Sequence, residues 1–287
     1  MYKNIIREKK IYCGKNYMEV DIYNFSLQNA RASRGRSKKE KVSLPSQKNQ
    51  NEKNAKRLFI QAAETNFKNG DIYLTLTYTD ENLPGTVEEG VNNVKNYIRR
   101  IKREMAKQNM KNLKYMIVTE YRTAKGENTN GLEEDDIQEE DIEEKPIRMH
   151  HHLLISCELS RDELEDMWRS RRKKGEKKGK KIGRANARII QEDDNTGIYA
   201  LAAYLAKSPA GKRRWTCSQN LERPVQRTND YKYSRKKILT IVRDGIDLSF
   251  WEKQYPGWTI KDKDNGYIQS YNDFTGWSIY LKLRRKE

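Results

Sequence analysis

Arg148-Met149-His150-His151-His152-Leu153-Leu154-Ile155-Ser156 contains all three histidines of the chain. A short apolar run of this kind reads as a buried or half-buried strand. Successive strand side chains point to opposite faces, so His150 and His152 project together and His151 projects the other way. Two imidazoles on adjacent same-face positions can share one divalent ion, and neutral imidazole is the commonest protein metal ligand. Solvated or core-satisfied histidines are the plain alternative. Contiguity on one strand favours the metal site.

The rest of the composition narrows the partners. The 287 residues suffice for one elaborated domain or two small ones. The hydrophobic fraction is 35%, the charged fraction 34% and the net charge +17, which points to a polyanion such as nucleic acid. A membrane partner is not expected, because no apolar run reaches about 18 residues and no signal-peptide pattern is present. Cys13, Cys157 and Cys217 are odd in number and lack CxxC spacing. They indicate neither a disulfide framework nor a zinc knuckle, and a reducing cytoplasm fits best. From Glu127 to Glu144 there are ten acidic residues and no basic ones, the mark of a solvated loop. Gly175-Glu176-Lys177-Lys178-Gly179-Lys180 lacks P-loop spacing, so no ATP motor is indicated.

Outward from the histidines, Tyr115 to Tyr121 reads as a strand, and so does Ile72 to Tyr78. In the latter Leu74 and Leu76 share one face, while Tyr73, Thr75 and Thr77 share the other. Val87 to Gln108 reads as a helix with Val91, Val94, Ile98, Ile101 and Met105 inward and Lys95, Arg99, Lys102 and Arg103 outward. A shorter helix is expected over Asn54–Phe67, and another starts at the capping box Ser160-Arg161-Asp162-Glu163 and runs to Trp168. Arg169 to Lys181 packs nine Lys/Arg into thirteen positions, too basic to fold on itself and suited to backbone phosphates. Arg188–Ile190, Arg213–Leu221 and Ile238–Val242 read as strands, and Gly197–Lys207 as an Ala-rich helix stopped by Ser208-Pro209. The N-terminus offers one strand, Met18–Tyr23, and then a mobile linker or DNA-facing arm from Arg31 to Gln50. The tail aromatics, Trp251 to Tyr280, are expected to pack in a small β-rich unit rather than stack on bases.

A hard cation held by two histidines needs an oxygen ligand. Glu120 ends its strand in a carboxylate, and antiparallel pairing with the histidine strand would set it beside His150 or His152. A solvated or salt-bridged carboxylate is the alternative there. In Tyr204-Leu205-Ala206-Lys207 the phenol and ammonium share a helix face. A phenol of pKa about 10 is a poor nucleophile at neutral pH unless a cation helps it, and Lys207 supplies one. A core tyrosine with a snorkelling lysine is the ordinary reading of such a pair.

In this order, Leu74-Thr75-Leu76-Thr77-Tyr78, Glu120, His-x-His and Tyr-x-x-Lys resemble the HUH endonucleases, and among them the rolling-circle replication initiators of small single-stranded DNA phages and bacterial plasmids. The resemblance covers roughly Leu58 to Pro224. His151 departs from it, since the family's middle residue is bulky and apolar. The resemblance implies an α+β fold, an antiparallel RRM-like sheet with helices on one face and the active site on the other. It implies Mg²⁺ or Mn²⁺ held by His150, His152 and an acidic or amide residue, here Glu120. It further implies catalysis by Tyr204 with Lys207, leaving a 5′-phosphotyrosine and a free 3′-OH primer. Some members use two tyrosines, but Tyr199 lies roughly 140° around the helix from Tyr204, so Tyr204 is read as the sole nucleophile. The expected layout is a basic N-terminal region (1–53), an endonuclease domain (54–237) with an acidic insertion (124–146), and a β-rich C-terminal region (238–287). The expected partners are single-stranded origin DNA and the helicase and polymerase of a bacterial host, in its cytoplasm. A relaxase or single-tyrosine transposase is the enzymatic alternative. A catalytically silent nucleic-acid-binding protein with a structural ion is the alternative of a different class.

Overall fold

The computed structural model describes residues 4–26, 45–122, 146–207, 209–210, 213–245, 248–263 and 265–286. The chain runs β1 (Asn4–Cys13), β2 (Tyr17–Ser26), α1 (Pro45–Asn66), β3 (Ile72–Leu76), α2 (Val87–Lys107), β4 (Lys114–Arg122) and β5 (Ile147–Ser156). There follow α3 (Arg161–Asp166), β6 (Ala185–Ile189), α4 (Tyr199–Leu205), β7 (Thr216–Cys217) and β8 (Val225–Asn229). The last elements are α5 (Arg235–Asp244), α6 (Leu248–Gln254), β9 (Trp258–Thr259), β10 (Tyr267–Asn272) and β11 (Gly276–Arg285). The class is therefore α+β, with two antiparallel sheets among the described residues. No described helix is long and apolar enough to cross a membrane. The chain divides into two compact units: Met1–Asn66 with Glu192–Ala200 and Glu222–Glu287, and Phe67–Gln191 with Leu201–Leu221.

In the first unit the strands follow the order β10-β11-β2-β1-β8, with β9 also on β11, so both ends of the chain build one sheet. The single strand expected near the N-terminus is thus half of a hairpin. β1 hides in the sequence because Glu8 occupies an inward position. Its buried carboxylate accepts from Lys232 Nζ at 2.9 Å and from the Tyr255 hydroxyl at 2.7 Å, which offsets the cost of burying the charge. On α1, Arg57 and Gln61 serve the buried Glu19 in the same way, each at 2.6 Å. The helix expected from Asn54 begins at Pro45, a residue suited to a first helical turn. It takes in 45–50 of the expected linker, whose remainder lies outside the described residues. Ile238–Val242, expected as a strand, lies within α5. Ile238 and Ile241 are buried one helical turn apart, Ser234 caps the start, and Gly245 ends it at φ 60°. Helical spacing outweighs the β-branched composition there. The tail is correspondingly part helix, and its strands complete the sheet begun by β2 and β1.

The second unit carries the histidines. Its sheet has the order β6-β3-β5-β4-β7. α2 lays Val94, Tyr97, Ile98, Ile101 and Met105 into one core with Leu74, Leu76, Ile117, Met149, Leu153 and Ile155. Each such buried side chain contributes roughly 1.5–3 kcal/mol. The capping box at Ser160 and Glu163 forms as expected, and α3 ends at Asp166. Arg213–Leu221 yields only the two-residue β7. The acidic segment 124–146 lies outside the described residues apart from Pro146.

Arg169 to Lys181 does fold, contrary to expectation. Ile182 N donates to Trp168 O at 3.4 Å, Ser170 N donates to Lys180 O at 2.8 Å, and Arg169 pairs with Lys181 between them. Asp166 supplies the compensating charge, binding both Arg169 and Lys178. Gly183 then lies so close to β3's extension that a Cβ would fall 1.8 Å from Thr77 O. Gly183→Ala should therefore destabilise the protein by about 3 kcal/mol, the upper end of ordinary overpacking. Urea unfolding would measure it, and an unchanged midpoint would contradict the close approach.

Candidate metal centre

β5 pairs with β3 on one side and β4 on the other, and the register decides what its polar face meets. Glu120 stands directly across from His150, and His152 lies between Thr75 and Val118. His150 Nε2 is 3.0 Å from His152 Nε2 and 3.4 Å from Glu120 Oε2. One ligand atom from each of the three lies within 4.8 Å of the others, a cluster that could hold a metal ion.

Hydrogen bonds behind the rings suit them to this role. His150 Nδ1 lies 2.8 Å from Arg148 O, which can only accept. The proton therefore sits on Nδ1, and the Nε2 lone pair faces the cluster. His152 Nδ1 lies 2.9 Å from the Tyr73 hydroxyl, which Thr75 Oγ1 meets at 3.1 Å. Tyr73 can accept a proton from Nδ1 and so turn the second Nε2 inward as well. Burial, reinforced by His150, holds His152 down at about 4, so its imidazole is neutral at pH 7. The Glu120 hydrogen bond raises His150. A proton shared by His150 with Glu120 can hold this cluster, and the same donor set of two imidazoles and a carboxylate could hold a divalent ion.

His151 belongs to the other face. It is fully buried, with Nε2 2.7 Å from the Tyr78 hydroxyl and Nδ1 2.9 Å from Thr119 Oγ1. Burial depresses it to about 3, and Trp168 meets its ring edge-on at 6.2 Å. Hydroxyls on both ring nitrogens explain how an imidazole occupies an apolar position.

No protein-family model, curated protein or solved structure matches this chain. The geometry alone carries the functional reading.

The Tyr204 ring stands 5.9 Å from the His152 ring at 63°, and the side chain is 58% exposed. The chain leaving α4 is stitched to β4, with Pro209 bridged to Glu120 and Ala210 N donating to Thr119 O at 2.7 Å. Lys207 lies just past the helix, exposed, and its main-chain N donates to Tyr204 O at 3.1 Å. Glu120, His150 and His152 thus come together through their side chains with the Tyr204 ring against His152, whereas Lys207 is tied only to Tyr204, by a main-chain bond of the helix end. Tyr199 instead packs on Tyr17 at 6.1 Å, with Lys282 Nζ 4.4 Å from its ring centre.

The supporting pair Tyr73 and Thr75 has no assigned role in the sequence reading. Alternation sets them on the polar face, but only the register pairs Thr75 with His152. In Mn²⁺ titration calorimetry, His150→Ala, His152→Ala and Glu120→Ala should each weaken binding by on the order of 100-fold or more, and Tyr73→Phe by roughly 10-fold. His151→Ala should bind Mn²⁺ as the parent does while losing roughly 2–4 kcal/mol of stability. Equal loss of Mn²⁺ affinity at all three histidines would contradict the assignment of faces.

Proposed function

We propose that this protein is a Mg²⁺- or Mn²⁺-dependent endonuclease of the HUH type, which nicks and rejoins single-stranded DNA to start rolling-circle replication. The observation that carries this reading is the Tyr204 ring standing against His152 beside three convergent metal-ligand atoms. The chain order of the second unit supports it too. β3, α2, β4, β5, α3 and β6 form a βαββαβ series, and their spatial order β6-β3-β5-β4 is that of a ferredoxin-like or RRM-like sheet. α2 packs on one face of that sheet, and the candidate ligands His150, His152 and Glu120 lie outside that core. A net charge of +17 suits a DNA substrate.

A bound Mg²⁺ or Mn²⁺ would withdraw charge from the scissile phosphate as a Lewis acid. Tyr204 Oη gives up its proton to water and attacks phosphorus, and the P–O3′ bond breaks. The departing 3′ oxygen takes a proton and becomes a 3′-OH, while the 5′ side stays on Tyr204 as a phosphodiester. Exposure of Tyr204 leaves room for a strand, and the stitched backbone past α4 limits where its oxygen can travel. Lys207, next to it in the turn, supplies positive charge for the phosphate. Attack of a 3′-OH on the same phosphorus reverses the link and restores the tyrosine. Single-stranded origin DNA is the substrate in this reading, with host helicase and polymerase extending the 3′ end.

The test is incubation with Mn²⁺ and a pool of single-stranded oligonucleotides carrying a randomised region. A denaturant-resistant protein–DNA adduct should form, should vanish with EDTA, and should fall on the order of 1000-fold or more in Tyr204→Phe. Tyr199→Phe should keep it. An adduct that persists in Tyr204→Phe would reject the nucleophile, and no adduct from the parent would reject the reading.

A further inference from the structure

A cavity of about 620 Å³ lies between the last turn of α2, the loop 108–113 and the segment 217–220. It meets β4 at Tyr115, five positions or about 17 Å along the strand from Glu120. We infer that this cavity binds a nucleoside phosphate, at a site separate from the candidate metal centre. The site takes no part in the chemistry proposed above and does not depend on it.

The walls follow from local structure. α2 ends in a Schellman motif, with Met110 N donating to Met105 O at 2.8 Å and Asn109 N to Ala106 O at 3.3 Å. Asn109 is left-handed there at φ 57°, and the motif brings Met105 and Met110 together at the cavity. Asn112 takes a second left-handed turn at φ 68° and leads the chain into Leu113 and Tyr115. The segment 217–220 is tied to the same strand. Ser218 N donates to Tyr115 O at 3.0 Å, Tyr115 N to Ser218 Oγ at 3.1 Å, and Asn220 Nδ2 to Leu113 O at 3.2 Å. Both walls are thus fixed by the fold, and the volume falls within the roughly 300–1,000 Å³ of small-molecule sites.

The lining attracts an anion. Lys102 and Lys111 are exposed along it, and it contains no carboxylate. Among the described residues the side chains of Lys102, Lys111, Asn112 and Gln219 have no hydrogen-bond or ion-pair partner. A helix C-terminus carries roughly half a negative charge, which two ammonium groups outweigh. The carbonyls of Glu104, Met105 and Ala106 are moreover already taken by Gln108, Asn109 and Met110.

The apolar part selects which anion. Met105 and Leu113 are buried, and Met110 and Tyr115 are half-buried, so a flat group finds thioethers and an aromatic ring beneath it. Lys102 Nζ lies 5.9 Å from the centre of the Tyr115 ring, which sets a cation beside a group stacked there. The amides of Asn112 and Gln219 each donate and accept, as the edge of a base requires. Inorganic phosphate would leave the ring and thioethers unused, and a hydrocarbon chain would leave the amides and ammonium groups unused. A nucleoside phosphate engages all three, with its base on Tyr115 and its phosphate between the lysines.

The experiment follows alkylation of Cys217 by N-ethylmaleimide, read by peptide mass spectrometry, in EDTA so that no metal ion at the candidate centre takes the phosphate. Cys217 is exposed and lines the cavity, while Cys157 lies outside it and serves as the internal reference. AMP at about ten times its Kd should slow Cys217 roughly 10-fold and leave Cys157 unchanged. Inorganic phosphate and adenosine should each protect less than AMP at equal concentration. The double variant Lys102→Ala with Lys111→Ala should bind AMP on the order of 100-fold more weakly. Its urea midpoint should match the parent, since both side chains are exposed. Tyr115→Phe should keep most of the AMP affinity, and Tyr115→Leu should lose roughly 10-fold. No protection by AMP, equal protection by inorganic phosphate, or an AMP affinity unchanged in the lysine variant would each overturn the inference. So would protection by a short single-stranded oligonucleotide but not by AMP. A parent that forms no tyrosine adduct, yet shows AMP protection lost with the lysines, would sink the nicking reading and leave the nucleotide site standing.

Discussion

The period of two along β5 is the constraint on which the second unit depends. Odd positions Met149, Leu153 and Ile155 enter the core beneath α2, while His150 and His152 face away from it. A slip of one residue would bury His150 and His152 and expose the core residues, so the apolar packing that stabilises the sheet also fixes the candidate site. His151 strengthens that coupling. As an odd position it must satisfy two ring nitrogens inside the core, and Tyr78 and Thr119 do so only in this register.

The same logic governs charge. Buried carboxylates in the first unit, Glu8 and Glu19, each meet a cation and a neutral donor within hydrogen-bonding distance. At the candidate centre Glu120 instead faces two imidazoles, one of them held neutral. That difference separates carboxylates paired by a cationic side chain of the protein from a cluster that could hold a divalent cation.

Much of this was legible in the letters because it rests on short periodicities. His-x-His alternation, the stripe of α2 and the capping box at Ser160 each depend on neighbours within a turn or two. β1 was hidden because Glu8 is paired by Lys232, more than two hundred residues away. α5 is hard to read because Ile238 to Val242 has the composition of a strand and the spacing of a helix. The folding of Arg169 to Lys181 is not legible in the sequence because local repulsion is offset by Asp166 and by the tie to Thr77, neither visible in a count of lysines. Tyr73 and Thr75 were placed on the right face, but their role behind His152 required the register between strands.

The most direct measurement is the electron spin-echo spectrum of Mn²⁺ added to the protein at one equivalent. The account predicts modulation from two directly coordinated imidazole nitrogens, falling to one in either His150→Ala or His152→Ala and staying at two in a folded His151 variant such as His151→Gln. Bound Mn²⁺ with no imidazole coupling, or with a coupling lost on changing His151, would contradict it.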